Sequence, residues 1–213
     1  MRTDDLVAML ASGADAVESH TAARRFAVAT GCGALGASLL MAVLLGVRHD
    51  LGAAALLPMF WVKVAFVACL AGSGLLAVSR LSRPGLRLAW ASIALAVPVM
   101  VMWPLATAVL IRADPLQRAQ LFFGETWTSC PILIALLSTP ALFAVLWAMR
   151  GLAPTRPALA GAAAGLLSGA IGALVYCLHC PETAAPFVAF WYLIGMLIPS
   201  AIGALIGPRL LRW

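Results

Sequence analysis

Charge is what this sequence has least of. Aspartate, glutamate, lysine and arginine make up 10% of its 213 residues, against about 25% in a soluble domain. Hydrophobic residues make up 63% and fall in long blocks rather than amphipathic stripes. Too little polar surface remains to cover a water-soluble globule, so the class that fits is an all-α polytopic membrane protein. The long apolar runs also lack acidic groups, which argues against a pump or a proton-coupled carrier, since those need relays of buried ionisable groups. There is no Ser-His-Asp set, paired carboxylates or phosphate-binding loop, so nothing supports hydrolysis. Glu125 and Glu182 read as solvated acids or neighbours of a metal. No cleavable signal peptide is evident: the first 22 residues hold Asp4, Asp5, Asp15 and Glu18 and lack an apolar core. The first membrane segment is therefore expected to direct insertion. The net charge of +6 does not imply direct contact with nucleic acid. In a membrane chain, basic residues mark cytoplasmic loops.

Apolar runs of membrane-spanning length are present, and they predict six spanning helices near 26–47, 56–79, 88–111, 131–149, 158–178 and 186–207. Residues 1–25 precede them as a cytoplasmic segment, and 26–213 form the transmembrane domain. Arg2, Arg24, Arg25, Arg80, Arg83, Arg87, Arg150, Arg156, Arg209 and Arg212 fall on one side, and Arg48, Arg112 and Arg118 on the other. This asymmetry puts both termini in the cytoplasm of a bacterial inner membrane. Small residues recur inside the first and fifth spans, as Gly161, Gly165 and Gly169 do. Such spacing lets helix backbones approach closely. Pro98 and Pro104 are expected to kink the third helix. Lys63 is the main ionisable group within a span. It lies near the outer end, where its long side chain is expected to snorkel to the headgroups.

The cysteines divide by position. Cys32 and Cys69 sit within apolar runs and read as packing residues. Cys130 and Cys180 sit at outer membrane edges, each followed by proline, and Cys177 lies one turn before Cys180, where it reads either as an accessory sensing thiol or as a residue facing lipid. Pro131 suits the first turn of a helix and Pro181 a stop after one. If the fourth and fifth helices form a hairpin, a rise of ~1.5 Å per residue brings Cys130 and Cys180 within about 5 Å in depth. Two thiols at one depth, on neighbouring helices facing an oxidising compartment, can form a disulfide or share a soft metal ion. His179 and His49, on the same side, could add nitrogen ligands. No cofactor is expected beyond such a transient ion.

The amino terminus reads as a short helix followed by a flexible stretch. Thr3, Asp4 and Asp5 suit a helix N-terminus, and Leu6, Met9 and Leu10 form an apolar face. That face fits either a membrane surface or a partner's groove, and the acidic start favours a basic partner over anionic lipid.

Several stretches carry a resemblance: "MRTDDLVAMLA" at the start, "LPMFWVK" (57–63), "WTSCPILIALLSTPALFAVLWAMRGLAPTRPALAGAAAG" (127–165), "LHCPE" (178–182), "WYLIG" (191–195) and "GPRLLRW" (207–213). In this order they resemble the NrsF-type membrane anti-sigma factors, a six-span proteobacterial family. The resemblance implies that the amino-terminal segment binds an extracytoplasmic-function sigma factor, through Thr3, Asp4, Asp5, Leu6 and Leu10. It implies that Cys130 and Cys180 sense metal or oxidative stress, which releases the partner. Two other classes remain open on the residues alone. A membrane thiol oxidoreductase would need a second exchanging thiol pair, and a small-solute or metal transporter would need polar groups across the midplane.

Overall fold

The computed structural model describes residues 3–12, 21–83, 89–152 and 154–212, and among these every regular element is helical. Helix α1 (Thr3–Ser12) precedes α2 (Thr21–Leu44). A short turn of helix, α3 (Leu51–Ala54), leads to α4 (Pro58–Leu81), then α5 (Ala89–Arg112) and the short helix α6 (Pro115–Phe123). Next come α7 (Cys130–Leu137), α8 (Thr139–Arg150) and α9 (Pro157–Tyr176). The final stretch joins α10 (Ala185–Phe187), a π-turn (Val188–Tyr192) and α11 (Leu193–Leu210). Five helices are long and apolar enough to cross a membrane, and α7 with α8 makes a sixth if the bent pair is one span. The flexible stretch expected after α1 falls outside the described residues, as do Arg2, Arg87 and the side chain of Leu10.

Helix α9 is the centre of the bundle. It is packed by α11, α4, α8, α2 and α7. Its small residues make this possible. A Cβ on Gly161 would run into the carbonyl of Gly203, and one on Gly165 into the carbonyl of Pro199. Farther along, a Cβ on Gly172 would sit 2.8 Å from the amide nitrogen of Ser138, at the α7–α8 junction. Backbone lies on backbone here, as small-residue spacing predicts. Ser200 Oγ adds an interhelical bond, donating to the Ala162 carbonyl at 2.9 Å. The rest of the bundle turns apolar side chains outward, among them Leu39, Val43, Met100, Phe143, Trp147 and Leu205. A helix that is apolar all round suits lipid on one face and protein on the other.

Two expectations change. The fourth span is not straight: α7 and α8 meet at 42°. Pro140 lacks an N–H, so the Leu136 carbonyl loses its helical donor. The Thr139 hydroxyl takes that place, donating to Leu136 O at 2.7 Å, and Ser138 Oγ donates to Ala135 O at 2.6 Å. Hydroxyls next to a proline thus satisfy the backbone that the bend frees. Pro98 and Pro104 both lie inside α5, which continues across them. Cys32 and Cys69 are exposed on the outside of the bundle, so they are not interior packing residues.

Candidate functional site around two facing thiols

Cys130 opens α7, with Pro131 in its first turn. Cys180 lies just past α9, in the segment 177–184 that leads to α10. A bond from Cys180 N to Tyr176 O (2.9 Å) closes the last turn, and Pro181 comes next, where no further helical N–H is needed. The hairpin of α7–α8 with α9 brings the two cysteines together. Their thiols are in contact and unbridged, and both are 0% exposed.

The surroundings of this pair could not be read from the sequence. Cys177 is buried in the same cluster instead of facing lipid. The chain's two tyrosines, Tyr176 and Tyr192, are both there. The Tyr192 hydroxyl approaches the Cys177 and Cys180 thiols but completes no hydrogen bond of good geometry. Tyr192 ends the π-turn, which carries one extra residue in that turn and so re-aims the start of α11.

Lys63 does not snorkel. It is wholly buried, and its Nζ donates to the carbonyls of Cys180 (3.1 Å) and Glu182 (2.9 Å) and lies 5.0 Å from the Tyr192 ring centroid. Helix depth can be read from a sequence, but which face a residue occupies within a crowded bundle cannot, and here the inward face won because loop carbonyls were waiting there. The contact with Cys130, and then the Lys63 charge, hold the Cys180 thiol below its ordinary range against the opposite pull of burial.

The loop is tied down from its other sides too. Arg48 Nη1 donates to Cys180 O at 3.2 Å, and Arg48 N to Leu178 O at 3.2 Å. Glu182 Oε1 accepts from Glu125 N at 2.9 Å. The Glu182 carboxylate is therefore a structural partner of the loop before α7. Phe122, Phe123, Trp127, Phe190 and Trp191 form an aromatic group of their own, with Trp191 Nε1 donating to Phe122 O at 2.9 Å.

The histidines do not join the thiols. His179 Nδ1 is bonded to Gly46 O at 2.9 Å, and His49 is exposed. Among the described residues, no group of three or more His, Cys, Asp or Glu side chains is placed to hold a metal ion. Two facing thiols remain, and these are enough for a disulfide or for two-thiolate binding of a soft ion. At the other end of the chain, α1 carries Thr3, Asp4 and Asp5 in its first turn, and leaves Leu6, Val7 and Met9 exposed.

A family profile described as "NrsF: Negative regulator of sigma F" matches residues 10–213. A "Probable anti-sigma-F factor NrsF" of Azospira oryzae is 62% identical over 213 residues, and an "Anti-sigma-F factor NrsF" of Caulobacter vibrioides is 43% identical over 219 residues. In both cases 100% of each chain is covered. No solved structure matches.

Proposed function

The chain belongs to the NrsF family of negative regulators of sigma F, and from that premise we propose that it is a six-span inner-membrane anti-sigma factor with both termini in the cytoplasm. It acts by holding a sigma factor of the extracytoplasmic-function class away from RNA polymerase, not by turning over a substrate. The observation that carries this reading is full-length identity of 62% to a relative named as a probable anti-sigma-F factor. The topology rests on the arginine asymmetry between the two sets of loops.

Helix α1 supplies the contact. Its exposed Leu6, Val7 and Met9 have no use in water and fit a partner's apolar groove, with Asp4 and Asp5 meeting basic residues beside it. Cys130 and Cys180 form the sensing element on the periplasmic side. An oxidant takes two electrons from the pair as the S–S bond forms and two protons leave. A soft metal ion instead displaces the protons and bridges the sulfurs. Either event draws the start of α7 against the loop after α9 and changes the packing of both on α11. The partner must prefer one packing over the other, or nothing is released.

Co-purification of the full-length chain with the sigma F-type factor of the same organism tests the tether. Capture by the intact protein and loss on deleting residues 1–22 support it. Capture by neither form contradicts the anti-sigma reading, and capture by both moves the contact to the cytoplasmic loops near Arg83 and Arg150.

A further inference from the structure

Lys63 is the only lysine in the chain, and it is one of the few large side chains that are fully buried. Burying an ammonium is unfavourable unless its donors are used and its charge is answered. Among the described residues, no carboxylate lies within ion-pair distance of it. Its two hydrogen bonds go to backbone carbonyls, and both carbonyls belong to the segment 177–184. The face of Tyr192 supplies a cation–π contact at 5.0 Å. A packing role alone would be filled by methionine or leucine without the charge. An ionisable residue at this depth is expected to have a task and a partner.

We propose that Lys63 is the positioning residue of the thiol site: it latches the loop carrying Cys180 onto α4, holds that thiol opposite Cys130, and keeps both closed to the periplasm until the loop opens. The two carbonyls it grips flank Pro181, so both sides of the Cys180-Pro181 turn are fixed from one rigid helix. Arg48 also donates to the Cys180 carbonyl, but its second partner, Asp50, is exposed. Lys63 is therefore the interior half of the clasp and Arg48 the exterior half. Hydrogen bonds to a charged donor are stronger than neutral ones, which suits a latch that stays shut in the resting state. The thiols are fully covered, so a reagent reaches them only when this segment lifts, and the latch sets how often that happens.

The latch rests on the sensing role proposed for the thiols, but its test does not use sigma-factor release, so either can fail alone. The full-length chain in native membrane vesicles is treated with a membrane-impermeant maleimide, and Cys180 alkylation is followed by peptide mass spectrometry. Lys63→Met keeps the length and apolar packing of the side chain and removes the donors. It is expected to raise the Cys180 rate by at least about tenfold, which corresponds to ~1.4 kcal/mol. Lys63→Arg keeps charged donors and is expected to return the rate toward that of the unsubstituted chain. Equal rates in Lys63→Met and the unsubstituted chain overturn the latch, and so does a Lys63→Arg rate as high as that of Lys63→Met. If Lys63→Met does not accumulate, Arg48→Gln is read instead. It removes the exterior half of the clasp but leaves both Lys63 bonds in place, so Cys180 alkylation is expected to stay well below the rate of the denatured chain. Alkylation as fast as in the denatured chain contradicts the proposal.

Discussion

Arg48 and Cys180 are 132 positions apart in sequence, yet the Arg48 guanidinium donates to the Cys180 carbonyl at 3.2 Å. Asp50 holds the same guanidinium from the other side through two bonds of 2.6 Å. The short loop after α2 is thereby tied to the loop that comes after α9. The thiol end of the bundle is thus closed by charged side chains acting on backbone carbonyls, with the thiols buried there.

The Arg48–Asp50 pair predicts an acid dependence. The bond from Arg48 holds the exposed Asp50 carboxyl below its ordinary value of 3.8. A depressed carboxylate pKa adds stability that is complete above the ordinary value and disappears as pH falls through the depressed one. The melting midpoint of the unsubstituted protein in detergent is therefore expected to exceed that of Asp50→Asn by a small, constant margin from neutral pH down to mildly acidic pH. The margin should close below pH 3.8. A margin that grows on acidification contradicts this role for Asp50.

Gly161→Ala is expected to damage the central contact. Its added Cβ meets the Gly203 carbonyl and lies 3.0 Å from the Gly207 Cα, and both are backbone atoms that no rotamer change can move. Overpacking of this kind costs about 1–3 kcal/mol. Gly31→Ala, whose Cβ meets nothing within 4 Å, is the control expected to change little. Thermal unfolding of both variants in one detergent compares them directly.

Gly124→Ala strains the loop before α7. Gly124 has φ 56° and ψ −163°, a region open essentially to glycine alone, and its Cβ would also crowd Glu182 Oε1 at 2.7 Å. A backbone forced into such a region costs about 1–3 kcal/mol. The effect should also reach the Glu182–Glu125 bond, so amide exchange at Glu125 is expected to quicken, along with a lower melting midpoint. An unchanged Glu125 amide would mean the carboxylate holds its place without this turn.

The long apolar helices were legible because runs of membrane-spanning length mark them. Ala22–Leu44, Pro58–Leu81 and Pro157–Tyr176 fall within a few residues of the apolar runs that mark them. The meeting of Cys130 with Cys180 was also legible, since depth on a helical hairpin can be counted in residues. What counting cannot supply is rotation about the helix axis. That is why Lys63 read as a headgroup anchor and why Cys177 was open between lipid and the thiol site, although both turn into the cluster. The break at Ser138 escaped because Pro140 sits in an otherwise unbroken apolar run, and only the Thr139 and Ser138 hydroxyls beside it hint that a bend can be accommodated. Tyr176 and Tyr192 gave no warning beyond being the only tyrosines in the chain.

Release of a captured partner tests the thiol switch most directly. The full-length protein is reconstituted with its sigma factor bound, and the bound fraction is measured before and after adding cadmium or a thiol oxidant on the periplasmic face. The sigma factor is expected to dissociate from the unsubstituted protein and to stay bound to the Cys130→Ser, Cys180→Ser double variant, with equal capture by both beforehand. Release from the double variant to the same extent would contradict this and remove the thiol pair from signalling.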